Sequence, residues 1–284
     1  MSRNKDRLGN HQVQAADPAP NALHGENEPF SFVVPTEFVE LPSQGRFYHE
    51  QHPLHNEATI EIKQMTAKEE DMLTSRALLK KGVALDRVFQ SLIVDKRIDA
   101  SSLLVGDRNA IMVAARISGY GNDYTTQITC PQCTTSEEHS FDLFDVGLTP
   151  GDVSEELGVQ EVGTGVFSVV LPKTKFEVIF RLLSGQDEKA LMSQIDNARK
   201  KNREENTITR QLRMITLAIN GDDSPQAINF FVNNVPSLDA QHLRTAYTLA
   251  TPNIDLTHYY SCNECGYETD LEVPLTSDFF WPKR

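Results

Sequence analysis

All four cysteines of this 284-residue chain come as two CxxC pairs. Cys130-Pro131-Gln132-Cys133 lies near the middle and Cys262-Asn263-Glu264-Cys265 near the end. A CxxC sets two thiols on one tight turn, with both sulfurs free to face a common centre. Two such turns supply enough thiolates to close a tetrahedral zinc site. Parts of the chain far apart in sequence would then share one ion. A closed four-thiolate site has no open position for a substrate, so the Zn2+ expected here is structural.

The flanks favour metal over the competing readings of a thioredoxin-like redox pair, two disulfides or four unrelated thiols. Tyr124 to Thr129 precedes the first pair and Ser140 to Leu143 follows it. Leu256 to Tyr260 precedes the second, and Gly266 to Val273 follows. Both flanks alternate and carry β-branched or aromatic residues, which reads as strand, turn, strand. A redox CxxC belongs instead at a strand-to-helix junction. Gly266 follows the second pair, where a knuckle turn needs a residue free to take positive φ. Thr134 holds the equivalent place after the first.

Charge narrows the partners. The formal net charge is −13, which repels phosphate backbones unless a local basic patch intervenes. Arg199-Lys200-Lys201-Asn202-Arg203 is the dense basic run, and Glu204 and Glu205 follow at once, so it reads as a solvated helix end. Zinc ribbons often bind nucleic acid, and a zinc-ribbon nucleic-acid-binding regulatory protein is the alternative reading; the acidity speaks against it, and no nucleic acid is expected. No apolar run is long enough to span a bilayer. The polar start, Met1-Ser2-Arg3-Asn4, has no apolar core of a secretory signal, which predicts cytosolic synthesis and reduced thiols.

The order of elements predicts an α+β protein. Residues 1–34 form a polar arm with too little apolar content for a core. Residues 35–145 read as a first α+β lobe ending in the first CxxC hairpin, 146–164 as an acidic, Gly-containing linker with a short strand-like piece, and 165–284 as a second lobe with the second hairpin. In the first lobe, Ile60-Glu61-Ile62 alternates and leads to Thr66-Ala67-Lys68-Glu69, a capping box. Leu85, Val88, Phe89, Leu92 and Ile93 then mark one apolar helix stripe. In the second, Phe176-Glu177-Val178 leads to Ser184-Gly185-Gln186-Asp187, and Ile208, Leu212, Ile215 and Ile219 mark the stripe. A further helix and the CxxC hairpin follow in each. Two similar strand-helix-helix-hairpin lobes, an internal duplication joined through zinc, are expected.

Catalytic signatures are missing: there is no GxSxG, P-loop, GxGxxG or HExxH. Acid runs such as Glu69-Glu70-Asp71 and Glu155-Glu156 fit helix starts and solvated surface. His49, His52 and His55 recur at regular spacing, but in a loop-like stretch with Pro53 and no carboxylate cluster beside them. The expected protein is not an enzyme.

Several runs carry a family resemblance: Val39-Glu-Leu-Pro-Ser-Gln-Gly-Arg-Phe-Tyr48, Met65-Thr-Ala-Lys-Glu-Glu-Asp-Met-Leu-Thr74, Leu104-Val-Gly-Asp-Arg-Asn-Ala110, and Ile117-Ser-Gly-Tyr-Gly121 leading into Cys130. They resemble the baseplate hub and hub-assembly proteins of T-even-type, contractile-tailed phages. The resemblance is dense over about 38–145 and thinner beyond, where the second CxxC and the Phe279-Phe280-Trp281-Pro282 end also fit. It implies a non-enzymatic viral protein, made in the host cytoplasm, that acts in building the tail baseplate hub as a virion part or as an assembly chaperone. The implied partners are other baseplate and tail hub proteins, with self-association open. The resemblance supplies no catalytic residues.

Overall fold

Alternation, capping and turn chemistry build most elements where the sequence puts them. The structure is a computed structural model that describes residues 33–151, 157–273 and 277–280. The arm over 1–32, the pair Glu155-Glu156 and the terminal Trp281-Pro282 lie outside the described residues. From Thr36 the chain runs β1 (Thr36–Glu40), β2 (Thr59–Lys63), α1 (Ala67–Thr74), α2 (Arg76–Lys81), α3 (Ala84–Leu92), α4 (Val105–Tyr120), β3 (Asp123–Thr129), β4 (Ser136–Asp142), β5 (Gly147–Thr149), β6 (Gln160–Gly163), β7 (Val166–Val170) and β8 (Glu177–Arg181). It continues α5 (Gly185–Lys200), α6 (Thr207–Ile215), β9 (Thr216–Ile219), α7 (Pro225–Asn234), α8 (Ser237–Ala250), β10 (Asn253–Asp255), β11 (Thr257–Ser261) and β12 (Glu268–Glu272). The fold is mixed α and β, as expected.

Among the described residues all strand pairs are antiparallel. β1 pairs β2, β3 pairs β4, β11 pairs β12, and β6-β7-β8-β9 form a four-stranded sheet. Within 146–164, β5 reaches across to pair with β10. Buried apolar side chains from Val39 to Phe280 make one continuous cluster. Phe279 and Phe280 pack into it.

The predicted capping box forms, and a second one opens α5. Thr66 caps α1 with Glu69, and Ser184 caps α5 with Asp187. Each satisfies amides that a helix start otherwise leaves free, a contribution of about 1 kcal/mol. On α3 the inner face is Val88, Phe89 and Leu92, all buried, while Leu85 stays 40% exposed.

Two helix ends differ from the periodicity. The stripe through Ile219 predicts one helix, but α6 stops at Ile215 and Thr216–Ile219 is strand, paired with β8. Ile93 likewise leaves α3 and bridges Ile62 on β2. In both cases a neighbouring strand offers backbone partners that draw the chain out of the helix. Helix α7 was not expected; Ser224 caps it and Pro225 is its first residue.

Buried aspartates anchor two matching turns. Asp107, third residue of α4, accepts the Ser43 amide at 3.0 Å, the Ser43 hydroxyl at 2.6 Å and the Tyr48 hydroxyl at 2.7 Å. Asp239, third residue of α8, accepts the amides of Lys173 at 2.8 Å and Thr174 at 2.9 Å. Ser43 and Lys173 each follow a Leu-Pro step, Leu41-Pro42 after β1 and Leu171-Pro172 after β7. Hydrogen bonds to both oxygens offset the loss of water around each carboxylate. Burial still pushes Asp107 above the usual carboxylate range. At Asp239 burial acts the same way, but hydrogen bonds from Lys173 and Thr174, with His242 nearby, outweigh it and hold the group low.

The run Gly106-Asp107-Arg108 reaches three places at once. A Cβ on Gly106 would lie 1.9 Å from the Pro252 carbonyl oxygen, so only glycine lets α4 sit this close to the approach of β10. Arg108 is buried, donates to the Ala100 carbonyl at 3.0 Å and pairs with Asp86 at 2.9 Å. Asp86 also takes Lys189 of α5 at 2.8 Å. The motif is therefore a junction of the fold.

Candidate metal centre

The two CxxC turns have the same backbone. In the first, the Cys130 amide donates to the Thr135 carbonyl and the Thr134 amide to the Cys130 carbonyl, both at 2.9 Å. In the second, the Cys262 amide donates to the Tyr267 carbonyl and the Gly266 amide to the Cys262 carbonyl, again at 2.9 Å. Thr134 has φ 60° and Gly266 φ 67°. Threonine thus adopts the left-handed conformation that glycine adopts in the other knuckle.

The turns bring all four predicted ligands together. Ligand atoms of Cys130, Cys133, Cys262 and Cys265 lie within 4.8 Å of one another, a set able to hold a metal ion. Two of the contacts cross between hairpins: Cys130 Sγ to Cys265 Sγ is 3.8 Å, and Cys133 Sγ to Cys262 Sγ is 3.7 Å. Those separations are far too long for a disulfide. Cys130 and Cys262 are buried, Cys133 is half-buried and Cys265 is exposed.

Crowding and local hydrogen bonds shift three of the thiols. The Thr135 hydroxyl and amide pull Cys133 down to about 6. The Cys265 amide leads a similar lowering of Cys262. At Cys265 the Tyr267 amide favours the thiolate, but lost hydration and the three neighbouring sulfurs outweigh it and push the thiol up to about 12. Sulfurs this close cannot all carry charge without a cation among them, and a bound cation would deprotonate the whole set.

Sequence reasoning missed the residues that hold the hairpins together. Glu137 on β4 accepts the Tyr260 hydroxyl at 2.6 Å and the Asn263 amide nitrogen at 2.7 Å, both from the second hairpin. The Tyr260 bond leads the effects that lower the Glu137 carboxyl. His139 stands edge-on to Phe141 and Tyr260, and Phe141 edge-on to His258. Glu137, His139 and Phe141 share one face of β4 by the period of a strand, the one signal that could have found them. Arg116, buried on α4, donates to the carbonyls of Gly121, Asp123 and Phe279, tying the root of the first hairpin to the chain's end.

The loop histidines do not converge. His52 stacks on Tyr48 and meets the Ser102 hydroxyl at 2.9 Å, His55 meets the Tyr48 carbonyl at 2.7 Å, and His49 accepts the Gln51 amide at 3.2 Å. Among the described residues the cysteines are the cluster with metal-holding geometry. Among them, too, no helix is long and apolar enough to cross a membrane.

A family model described as T4 bacteriophage base plate protein matches residues 34–281. No curated protein and no solved structure matches the chain. The matched span begins before β1, takes in both knuckles and the anchored Leu-Pro turns, and runs past the buried Phe279 and Phe280. On that span the chain belongs to the T4 bacteriophage base plate protein family.

Proposed function

We propose that this chain is a non-enzymatic structural or assembly protein of the baseplate hub, whose zinc-fixed lobes present rigid surfaces to other tail proteins. The convergence of Cys130, Cys133, Cys262 and Cys265 carries the reading. A tetrahedral zinc with sulfurs at about 2.3 Å has sulfur–sulfur edges of about 3.8 Å. Two cross-hairpin separations, 3.8 and 3.7 Å, match that edge. Zinc binding at such a site becomes folding energy, because the unfolded chain has no site to offer.

Two lobes, 35–145 and 165–284, joined by 146–164 and derived from a duplication, accord with several pairings. The interval from Cys130 to Cys262 recurs from Cys133 to Cys265 and from Asp107 to Asp239. Val39 opposes Ile60 as Val169 opposes Val178. The Leu41 amide donates to the Ala58 carbonyl and the Leu171 amide to that of Phe176. The sulfurs pair first-with-second and second-with-first, the reciprocal pattern of a two-fold interface.

The protein would act in the host cytoplasm during assembly, as a late product, and reside in the tail baseplate if it is retained. The test has two arms. Elemental analysis of the purified chain should give about one zinc per chain, lost when Cys130 and Cys262 become serine. Affinity capture from infected cells should recover hub proteins, and mass spectrometry of purified baseplates should give its copy number. A zinc-free chain would remove the metal reading, and a chain recovered without any hub component would remove the assembly role.

A further inference from the structure

We infer that Glu137 is a latch that docks the two hairpins on each other before a metal arrives, so that the ion enters a ready-made cage. The inference rests on the metal reading above. One carboxylate from the first hairpin holds two residues of the second, Tyr260 on β11 and Asn263 inside the knuckle. These flank Cys262, so their capture fixes that cysteine relative to Cys130 and Cys133. The Tyr260 ring is fully buried beneath the contact. Phe141 meets His258 with ring centroids 5.5 Å apart, and His139 meets Tyr260 at 5.4 Å. None of these contacts uses a cation.

The latch is one-sided. Under the correspondence of the knuckles, Glu137 maps to Thr269, Tyr260 to Ile128 and Asn263 to Pro131. Ile128 and Pro131 have no side-chain donor, and the Thr269 hydroxyl turns to the adjacent Asp270 carbonyl. Glu137 therefore carries what symmetry would otherwise share between two residues. Groups behind metal ligands commonly change affinity 10- to 100-fold when removed, by letting the ligands wander. Pre-docking also cuts the ordering cost that binding must otherwise meet.

The experiment uses the full chain as wild type, Glu137→Ala, Glu137→Gln and Thr269→Ala. Zinc release is timed against a chromogenic chelator, and NMR contacts between the Phe141 and His258 rings are recorded after the metal is stripped. The expected result is ring contacts that persist in metal-free wild type and Thr269→Ala but vanish in Glu137→Ala. Zinc release should be about tenfold faster in Glu137→Ala, intermediate in Glu137→Gln, and unchanged in Thr269→Ala. Gln keeps an acceptor for Tyr260 and turns a donor on Asn263, so it separates loss of the latch from misfolding. Ring contacts absent from metal-free wild type, or wild-type release from Glu137→Ala, would overturn the inference. A wild type that takes up no zinc overturns the metal reading and the cage together, while its ring contacts still decide whether Glu137 docks the hairpins.

Discussion

Thr134 pays for its place in the first knuckle with a backbone that its side chain resists. At φ 60° a β-branched residue is strained by about 1 kcal/mol or more. Its hydroxyl recovers part of this by donating to the Cys133 carbonyl at 2.6 Å. Thr134→Gly should raise the melting temperature by roughly 2–4 °C for a chain of this length. Gly266→Ala should lower it by a similar amount through φ alone, since nothing lies within 4 Å of the added carbon. Calorimetry of both variants, metal-loaded, checks the pair. At this scale the four clustered cysteines were legible, because a CxxC turn declares itself locally. Glu137 was not: a glutamate in a polar strand looks solvated until the strand it faces is known.

Elements were legible where their chemistry is local. The Ser184 box on α5 needs only its own first turn, and Asp187 adds a two-point pair to Arg181 on β8, at 2.7 and 2.8 Å. Arg181 leads the effects that hold Asp187 at about 2, against an ordinary 3.8. The folded value lies below the unfolded one, so this stabilisation is whole above about pH 4 and is lost as pH falls through 2. Asp187→Asn should cost roughly 1 kcal/mol near pH 6, allowing for solvent screening of a partly exposed pair, and should flatten the acid limb of melting temperature against pH. An unchanged acid limb would show that the pair does not stabilise the fold. The turn of Thr216–Ile219 into strand was illegible for the opposite reason. Its helix stripe is sound in isolation, and the partner that redirects it, β8, is distant in sequence.

At the scale of the whole molecule the mixed α and β class was legible, and so was the convergence of distant cysteines, since two CxxC turns account for all four thiols. The routes between distant elements were not. The pairing of β5 with β10 and the reach of Gly106-Asp107-Arg108 into three neighbours depend on contacts no local pattern encodes. On the proposed reading, stripping zinc should lower the melting temperature while leaving most secondary structure in place, because the continuous apolar core remains. Circular dichroism with and without chelator, across the thermal transition, measures both at once. An unaltered transition would mean that the ion contributes nothing to the fold.

The crosswise sulfur pairing also bears on how such a chain must be handled. On the metal reading, a first knuckle would fit a second knuckle whichever molecule supplied it. In a crowded refolding mixture, two such chains offered the ion while still open would then exchange halves and lock as an entangled couple. Dilution before metallation would give each chain time to find its own other end, and synthesis on the ribosome sets a similar order, since one knuckle emerges well before the next.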